Sequence, residues 1–239
     1  MSDELYPRAP LADVPARFDV IAFDFDGTLA DTTAAILTTA LQTLEALSHP
    51  PVERELWRPT IGLPLRQAFL GVGVPETAAD ACVLHYRERF LGNAREVALY
   101  PAVRECLEQL GALGLTLGVV SSRGRSSLGP LLDQLGIRDH FREVLAEEDV
   151  PGKKPAPDLV LELAARLGVR PERILVVGDT TYDIEMGHAA GAATCAVTYG
   201  NHDAQRLSGV RPTYQLDSLS TLANLLGPRV EPSTSVPPP

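Results

Sequence analysis

The chain has 239 residues, 45% hydrophobic and 22% charged, with a formal net charge of −10. That length suits one large domain, or a core domain carrying a sizeable insertion. The acidic balance excludes a nucleic-acid binder with a basic face, and no stretch approaches the ~18 apolar residues of a membrane span.

Residues 1–16 contain three prolines and read as a loosely attached leader. The start, Met1-Ser2-Asp3-Glu4, is acidic and lacks an apolar h-region, so no signal peptide is expected. The first strand is Val20–Phe25, followed by further strands at Leu115–Ser121, Glu143–Ala146, Ile174–Gly178, Thr194–Val197 and Tyr214–Leu216. Helical patterns fall between the later strands, at Ala102–Leu113, Ser126–Leu135, Pro157–Leu167 and Thr181–Ala190. Gly136 and Gly168 stop two of them where a helix C-terminus favours glycine. Alternating strands and helices predict an α/β fold with a parallel sheet.

One interval breaks this rhythm. About 90 residues separate the first two strands, where a βαβ unit takes ~30. The excess carries helical patterns at Thr32–Leu47, Glu53–Trp57, Leu65–Gly71 and Pro75–Leu91, with Asp31 or Thr32 placed to cap the first. The expected organisation is a core of residues 17–29 and 101–227, with a helical cap over 30–100 lying across the first loop. Residues 228–239 are proline- and serine-rich with little to bury, and read as a disordered tail. Cys82, Cys106 and Cys195 have no metal-ligand spacing. They read as buried apolar residues in a reducing, cytoplasmic setting.

The chemistry concentrates at strand ends. Asp24-Phe25-Asp26-Gly27-Thr28 closes the first strand with two carboxylates and a glycine that permits a sharp turn. Ligands of open α/β sheets sit outside the carboxyl ends of strands. Asp24, ionised at neutral pH, can attack phosphorus without a partner base. Asp26 would carry the proton, with burial beside Phe25 or Phe23 tuning it. Asp179 and Asp183 follow the strand Ile174–Gly178 and either cap the next helix or join Asp24 around a cation. Carboxylates ~4 Å apart repel by ~4 kcal/mol at an effective ε of 20, and all-oxygen ligation suits Mg²⁺. Lys154, beside Pro155, offers a fixed positive charge to a phosphoryl group, while Ser121 and Ser122 offer hydroxyls and backbone N–H groups.

Taken together, Asp24-Phe25-Asp26-Gly27-Thr28-Leu29, Ser121, Lys154-Pro155-Ala156-Pro157 and Gly178-Asp179 with Asp183 resemble the four motifs of the haloacid-dehalogenase-like hydrolases. The likeness is to their phosphoglycolate-phosphatase-like branch. It implies a Rossmann-like core with a helical cap, and an aspartyl-phosphate on Asp24. It also implies Mg²⁺ held by Asp24, Asp179 and the backbone carbonyl of Asp26, with Asp183 acting through water. The partner would be a small phosphorylated metabolite such as phosphoglycolate. Gly27, Ser122, Arg66 and Arg123 are the substrate-binding candidates, Arg66 from the cap and Arg123, near Arg125, from the loop after the second strand. A β-phosphoglucomutase-type mutase and a non-enzymatic regulatory protein on the same fold are the alternatives, and the oligomeric state is left open. Two positions depart from the family pattern: Ser121-Ser122 stands for Thr-Asn, and Tyr100-Pro101-Ala102 for Tyr-Pro-Gly. Alanine at 102 is expected to stiffen a hinge.

Overall fold

The structure, a computed structural model, describes residues 18–227. The expected leader and tail, 1–16 and 228–239, lie outside the described residues. The strands are β1 (Val20–Phe23), β2 (Ala30–Asp31), β3 (Ala98–Leu99), β4 (Thr116–Val120), β5 (Glu143–Leu145), β6 (Ile174–Gly178), β7 (Ala193–Val197) and β8 (Tyr214–Leu216). Six of them form one sheet in the order β5-β4-β1-β6-β7-β8, every pairing parallel.

β1 lies between β4 and β6, with Phe23 level with Val119 on one side and Val177 on the other. Both of its faces are buried, which is why it reads as an unbroken apolar run. Ile21 and Phe23 enter one hydrophobic cluster, whereas Val20 and Ala22 enter a second on the opposite face. The first β-strand is shorter than expected: it stops at Phe23, and Phe25 and Asp26 belong to the turn that follows.

The helices are α1 (Thr33–Ala46), α2 (Arg54–Trp57), α3 (Leu65–Gly71), α4 (Glu76–Asn93), α5 (Val103–Ala112), α6 (Arg125–Gln134), α7 (Asp158–Leu167), α8 (Thr181–Ala190), α9 (Ala204–Gly209) and α10 (Leu222–Leu226). Leucines of α5 and α6 pack on the Phe23 face of the sheet, and those of α7 on the Val20 face. Helices α1–α4 form the inserted unit, built around Trp57, Phe69, Tyr86 and Phe90. Trp57 and Tyr86 each meet Phe69 edge-on, and Tyr86 stacks on Phe90. Among the described residues no helix is long and apolar enough to cross a membrane.

Two features had no clear sequence signal. β2 and β3 pair antiparallel where the helical insertion leaves and rejoins the core, and each is too short for periodicity to reveal. Helices α9 and α10, of six and five residues, are also too short to announce themselves. At the hinge, Ala102 adopts a left-handed backbone with φ +64, a conformation that costs a non-glycine residue about 1–2 kcal/mol. Thr32 stands at the N-terminus of α1 but makes no side-chain cap; its hydroxyl donates to Asp26 instead.

Candidate active site

Three adjacent strands deliver the site. Asp24 follows β1, Ser121 follows β4 and Asp179 follows β6. The Asp24 N–H donates to Val177 O at 2.9 Å and the Ser121 N–H to Leu145 O at 3.0 Å, so sheet hydrogen bonding extends to the functional residues. The geometry thus inherits the rigidity of the sheet.

Lys154 is wholly buried, and its Nζ donates to Asp24 Oδ1 and Asp183 Oδ1, each at 2.6 Å. Burial alone would push its pKa down, but the Asp183 and Asp24 carboxylates outweigh that and hold it above the ordinary lysine value. Asp183 serves two purposes through its two oxygens. Oδ2 accepts from the Thr180 N–H and hydroxyl, closing the first turn of α8, while Oδ1 faces Lys154. The helix-capping reading of Asp183 is realised, while its other oxygen meets Asp24 across the shared Lys154 ammonium.

Asp179 is fully committed as well. Its Oδ1 accepts from Thr28 Oγ1 at 2.9 Å, and its Oδ2 from the backbone N–H and side-chain amide of Asn201 at 2.7 and 2.9 Å. Burial first, then repulsion by Asp183, raises its pKa to about 7 against the pull of those hydrogen bonds. Burial likewise lifts Asp24 well above the carboxylate range. Lys154 opposes the shift, and Asp183, Asp179 and Asp26 add repulsion to it. One oxygen of Asp24, Oδ2, is buried with no hydrogen-bond partner.

Crowded buried acids of this kind suit a cation. Ligand atoms of Asp24, Asp179 and Asp183 lie within 4.8 Å of one another. A hard cation with oxygen ligands fits that set and would reverse the local repulsion that lifts both aspartates. The Asp26 side chain stands apart from the cluster.

Asp26 is instead gripped by Arg123. The guanidinium Nε and Nη2 donate to its carboxylate at 2.9 and 2.6 Å, and Thr32 Oγ1 donates at 2.6 Å. Arg123 lies 4.0 Å from the centre of the Phe90 ring on the cap. Its remaining arm, Nη1, donates to Ser127 at 3.2 Å. The Asp26 carboxylate is thus paired with a cation, and Arg123 first of all positions Asp26.

The other substrate-binding candidates fare differently. Ser121, Ser122 and Arg123 line the cavity over Asp24 and Asp26, although the Ser122 hydroxyl is spent on Gly62 O of the cap at 2.8 Å. Arg66 is not in that lining; it sits on the cap surface, paired with Glu76 and Asp80 at 2.8 Å each. An amphipathic helix hides this choice from sequence, because the partners lie 10 and 14 residues away. Gly27 also lies outside the lining, and its N–H donates to Ala30 O.

What Gly27 does is let the loop approach Asp179. Its φ is +87, and a Cβ there would fall 2.2 Å from Asp179 Oδ2. Gly27→Ala is therefore expected to cost about 2 kcal/mol or more. Chemical denaturation reads this directly, and an unchanged midpoint would mean that the loop yields freely. Gly200 makes a similar approach, with a Cβ position 2.3 Å from the Asp179 side chain. Asn201 and His202, which follow it, were not singled out from sequence. His202 is buried and accepts the Thr181 N–H on Nδ1; burial and then Arg206 lower its pKa to about 4. Their one signal is position, in the loop that follows the strand β7.

Residues 21–197 match the haloacid dehalogenase-like hydrolase family. The chain belongs to that family. Among curated relatives, a probable phosphatase, IndB, of Dickeya dadantii is 36% identical, with 84% of this chain and 90% of that protein covered. The pyrophosphatase PpaX of Bacillus velezensis is 34% identical over 88% of this chain and 97% of its own length. A phosphoglycolate phosphatase of Salmonella typhimurium is 32% identical over 87% and 92%. Among solved structures, a predicted phosphoglycolate phosphatase from Haemophilus somnus superposes with a TM-score of 0.78 at 26% identity, covering 90% of this chain and all of that one. The α/β Rossmann-like fold of this hydrolase is thus shared with that solved structure.

Proposed function

We propose that this hydrolase is a Mg²⁺-dependent phosphomonoesterase for a small phosphorylated metabolite, acting through a phospho-enzyme on Asp24. The observation that carries the reading is the Asp24 carboxylate itself. It is buried at a strand end, with one oxygen on Lys154 and the other without a partner. A carboxylate oriented through one oxygen leaves the other as nucleophile.

In the first half-reaction Asp24 Oδ2 bonds to phosphorus as the ester P–O bond breaks, and the departing oxygen takes a proton from Asp26. In the second, Asp26 accepts a proton from water as the water oxygen bonds to phosphorus, and the bond to Asp24 breaks. Arg123 and Thr32 hold Asp26 as the carboxylate that accepts the proton in the second transfer, and one of these donors must let go when Asp26 carries the proton for the first. Lys154 orients Asp24 and keeps a positive charge beside the phosphoryl group. Asp24, Asp179 and Asp183, with the main-chain carbonyl of Asp26, would hold Mg²⁺. The ion would supply charge neutralisation for a dianionic substrate entering a site that already holds several acids.

A phosphate-release assay on the purified chain tests this, using phosphoglycolate, sugar phosphates, nucleotides and pyrophosphate. Turnover is expected with Mg²⁺ and should fall about 100-fold or more when EDTA strips the ion. Conversion of a sugar phosphate to its isomer with no free phosphate would favour the mutase alternative. Absence of both products from every substrate would remove the enzymatic reading.

A further inference from the structure

The three clustered acids are not held alike. Asp24 and Asp183 share the Lys154 ammonium. Among the described residues no cation pairs with Asp179, and its donors are all neutral. Thr28 Oγ1 donates to Oδ1 at 2.9 Å, while the Asn201 N–H and side-chain amide donate to Oδ2 at 2.7 and 2.9 Å. Neutral donors favour the ionised carboxylate and fix its direction without cancelling its charge. The counter-charge for Asp179 therefore has to come from elsewhere, and its aim depends on these three bonds.

Asn201 makes two of the three, and the loops around it are shaped to let it. A Cβ on Gly27 would fall 2.3 Å from Asn201 Nδ2, and one on Gly200 would fall 2.3 Å from the Asp179 side chain. Contacts that short are sterically forbidden, so acid and amide meet only because both positions are glycine. Asn201 stands outside the lining of the cavity over Asp24 and Asp26, so contact with a substrate does not account for it.

The other end of the same amide faces the cap. Asn201 Oδ1 accepts from Thr33 Oγ1 at 3.1 Å, and Thr33 is the first residue of α1, where the helical insertion begins. That bond fixes which way the amide is turned, since its oxygen only accepts and its nitrogen only donates. One side chain thus joins a carboxylate of the acid cluster to the first turn of the cap, 168 residues away in sequence.

Resting on the Mg²⁺-dependent reading above, we infer that Asn201 is a positioning residue that aims Asp179 at the cation and, through Thr33, couples cation binding to the placement of the first cap helix. An outer partner that orients a metal-ligating group is typically worth about 10- to 100-fold in metal affinity. Such coupling is reciprocal: if the Asn201–Thr33 contact favours the cation, the cation must strengthen that contact.

Calorimetric titration of the purified full chain with Mg²⁺ tests this, with melting curves in EDTA to show that each variant is folded. Asn201→Ala should weaken Mg²⁺ binding about tenfold or more. Thr33→Val keeps every donor to Asp179 and removes the hydroxyl that turns the amide; it should weaken binding about threefold to tenfold. In the wild type, Mg²⁺ should slow hydrogen exchange of the Ile36 amide, which closes the first turn of α1 on Thr32 O. Both variants should lose that slowing. Equal Mg²⁺ affinity in the wild type and a folded Asn201→Ala would overturn the inference and leave the Mg²⁺ reading standing. Weaker binding in Asn201→Ala alone, with Thr33→Val indistinguishable from wild type in affinity and exchange, would overturn the link to the cap. Should Asn201→Ala fail to fold, Thr33→Val decides alone, and an unchanged affinity overturns the inference. A wild-type chain that binds no Mg²⁺ would overturn the Mg²⁺ reading itself, and this inference with it.

Discussion

Asp24→Asn is expected to lower kcat by about 10³-fold or more while leaving the unfolding midpoint of the metal-free protein unchanged or higher. The loss follows from chemistry. An amide has no anionic oxygen to bond to phosphorus, and removing a covalent nucleophile costs orders of magnitude because the remaining groups act only through it. The stability half follows from the electrostatics. Burial and three neighbouring carboxylates push the Asp24 pKa up against the single pull of Lys154. Neutralising that position relieves repulsion, and Lys154 keeps Asp183 as its partner. Steady-state phosphate release and thermal melts on the same preparation read the two halves. Retention of more than a few per cent of wild-type turnover would refute Asp24 as nucleophile.

Lys154→Met carries the second large effect, here on stability as well as turnover. Lys154 is the ammonium that two of the three clustered acids share, and it is entirely buried. Deleting one partner of a buried ion pair costs about 3–5 kcal/mol, since the charge left behind is uncompensated. For a domain of this size that lowers the unfolding midpoint by roughly 6–20 °C. Millimolar Mg²⁺ should recover part of the loss, because the acids left behind are those suited to hold it. Melting curves of wild type and variant with and without Mg²⁺ decide the matter. A variant that melts with the wild type in EDTA would show that Lys154 does not balance these carboxylates.

Much of the fold was legible because its signals are local. β1, β4, β6 and β7 are apolar runs buried on both faces, and Ile174–Gly178 was placed to the residue. The long gap after β1 announced an insertion of helices for the same reason. β2, β3, α9 and α10 escaped notice, being too short to carry a period. Pairing of Ala30 with Leu99 is a fact of three dimensions.

The site divides along a similar line. Asp24 and Asp179 stand at strand ends and Asp183 in the first turn of α8, in the order of the family motifs, so the convergence of these three could be anticipated. Arg123 and Arg66 were alike on paper: each was an arginine near a loop or on a helix face. The fold sends Arg123 to Asp26, 97 residues earlier in the chain, and Arg66 to two acids on the cap surface. Asn201 also has meaning only once distant segments meet.

What sequence alone determined was which carboxylates gather at the strand ends, because they are set by short motifs attached to strands whose apolar patterns are unmistakable. What the tertiary structure decided was the company those groups keep: Lys154 on Asp24, Arg123 on Asp26, and Asn201 on Asp179. The physical reason is range. Strand and helix patterns arise from neighbours a few residues apart, whereas the pairing of buried charges and the lining of a cavity depend on side chains that folding alone brings together.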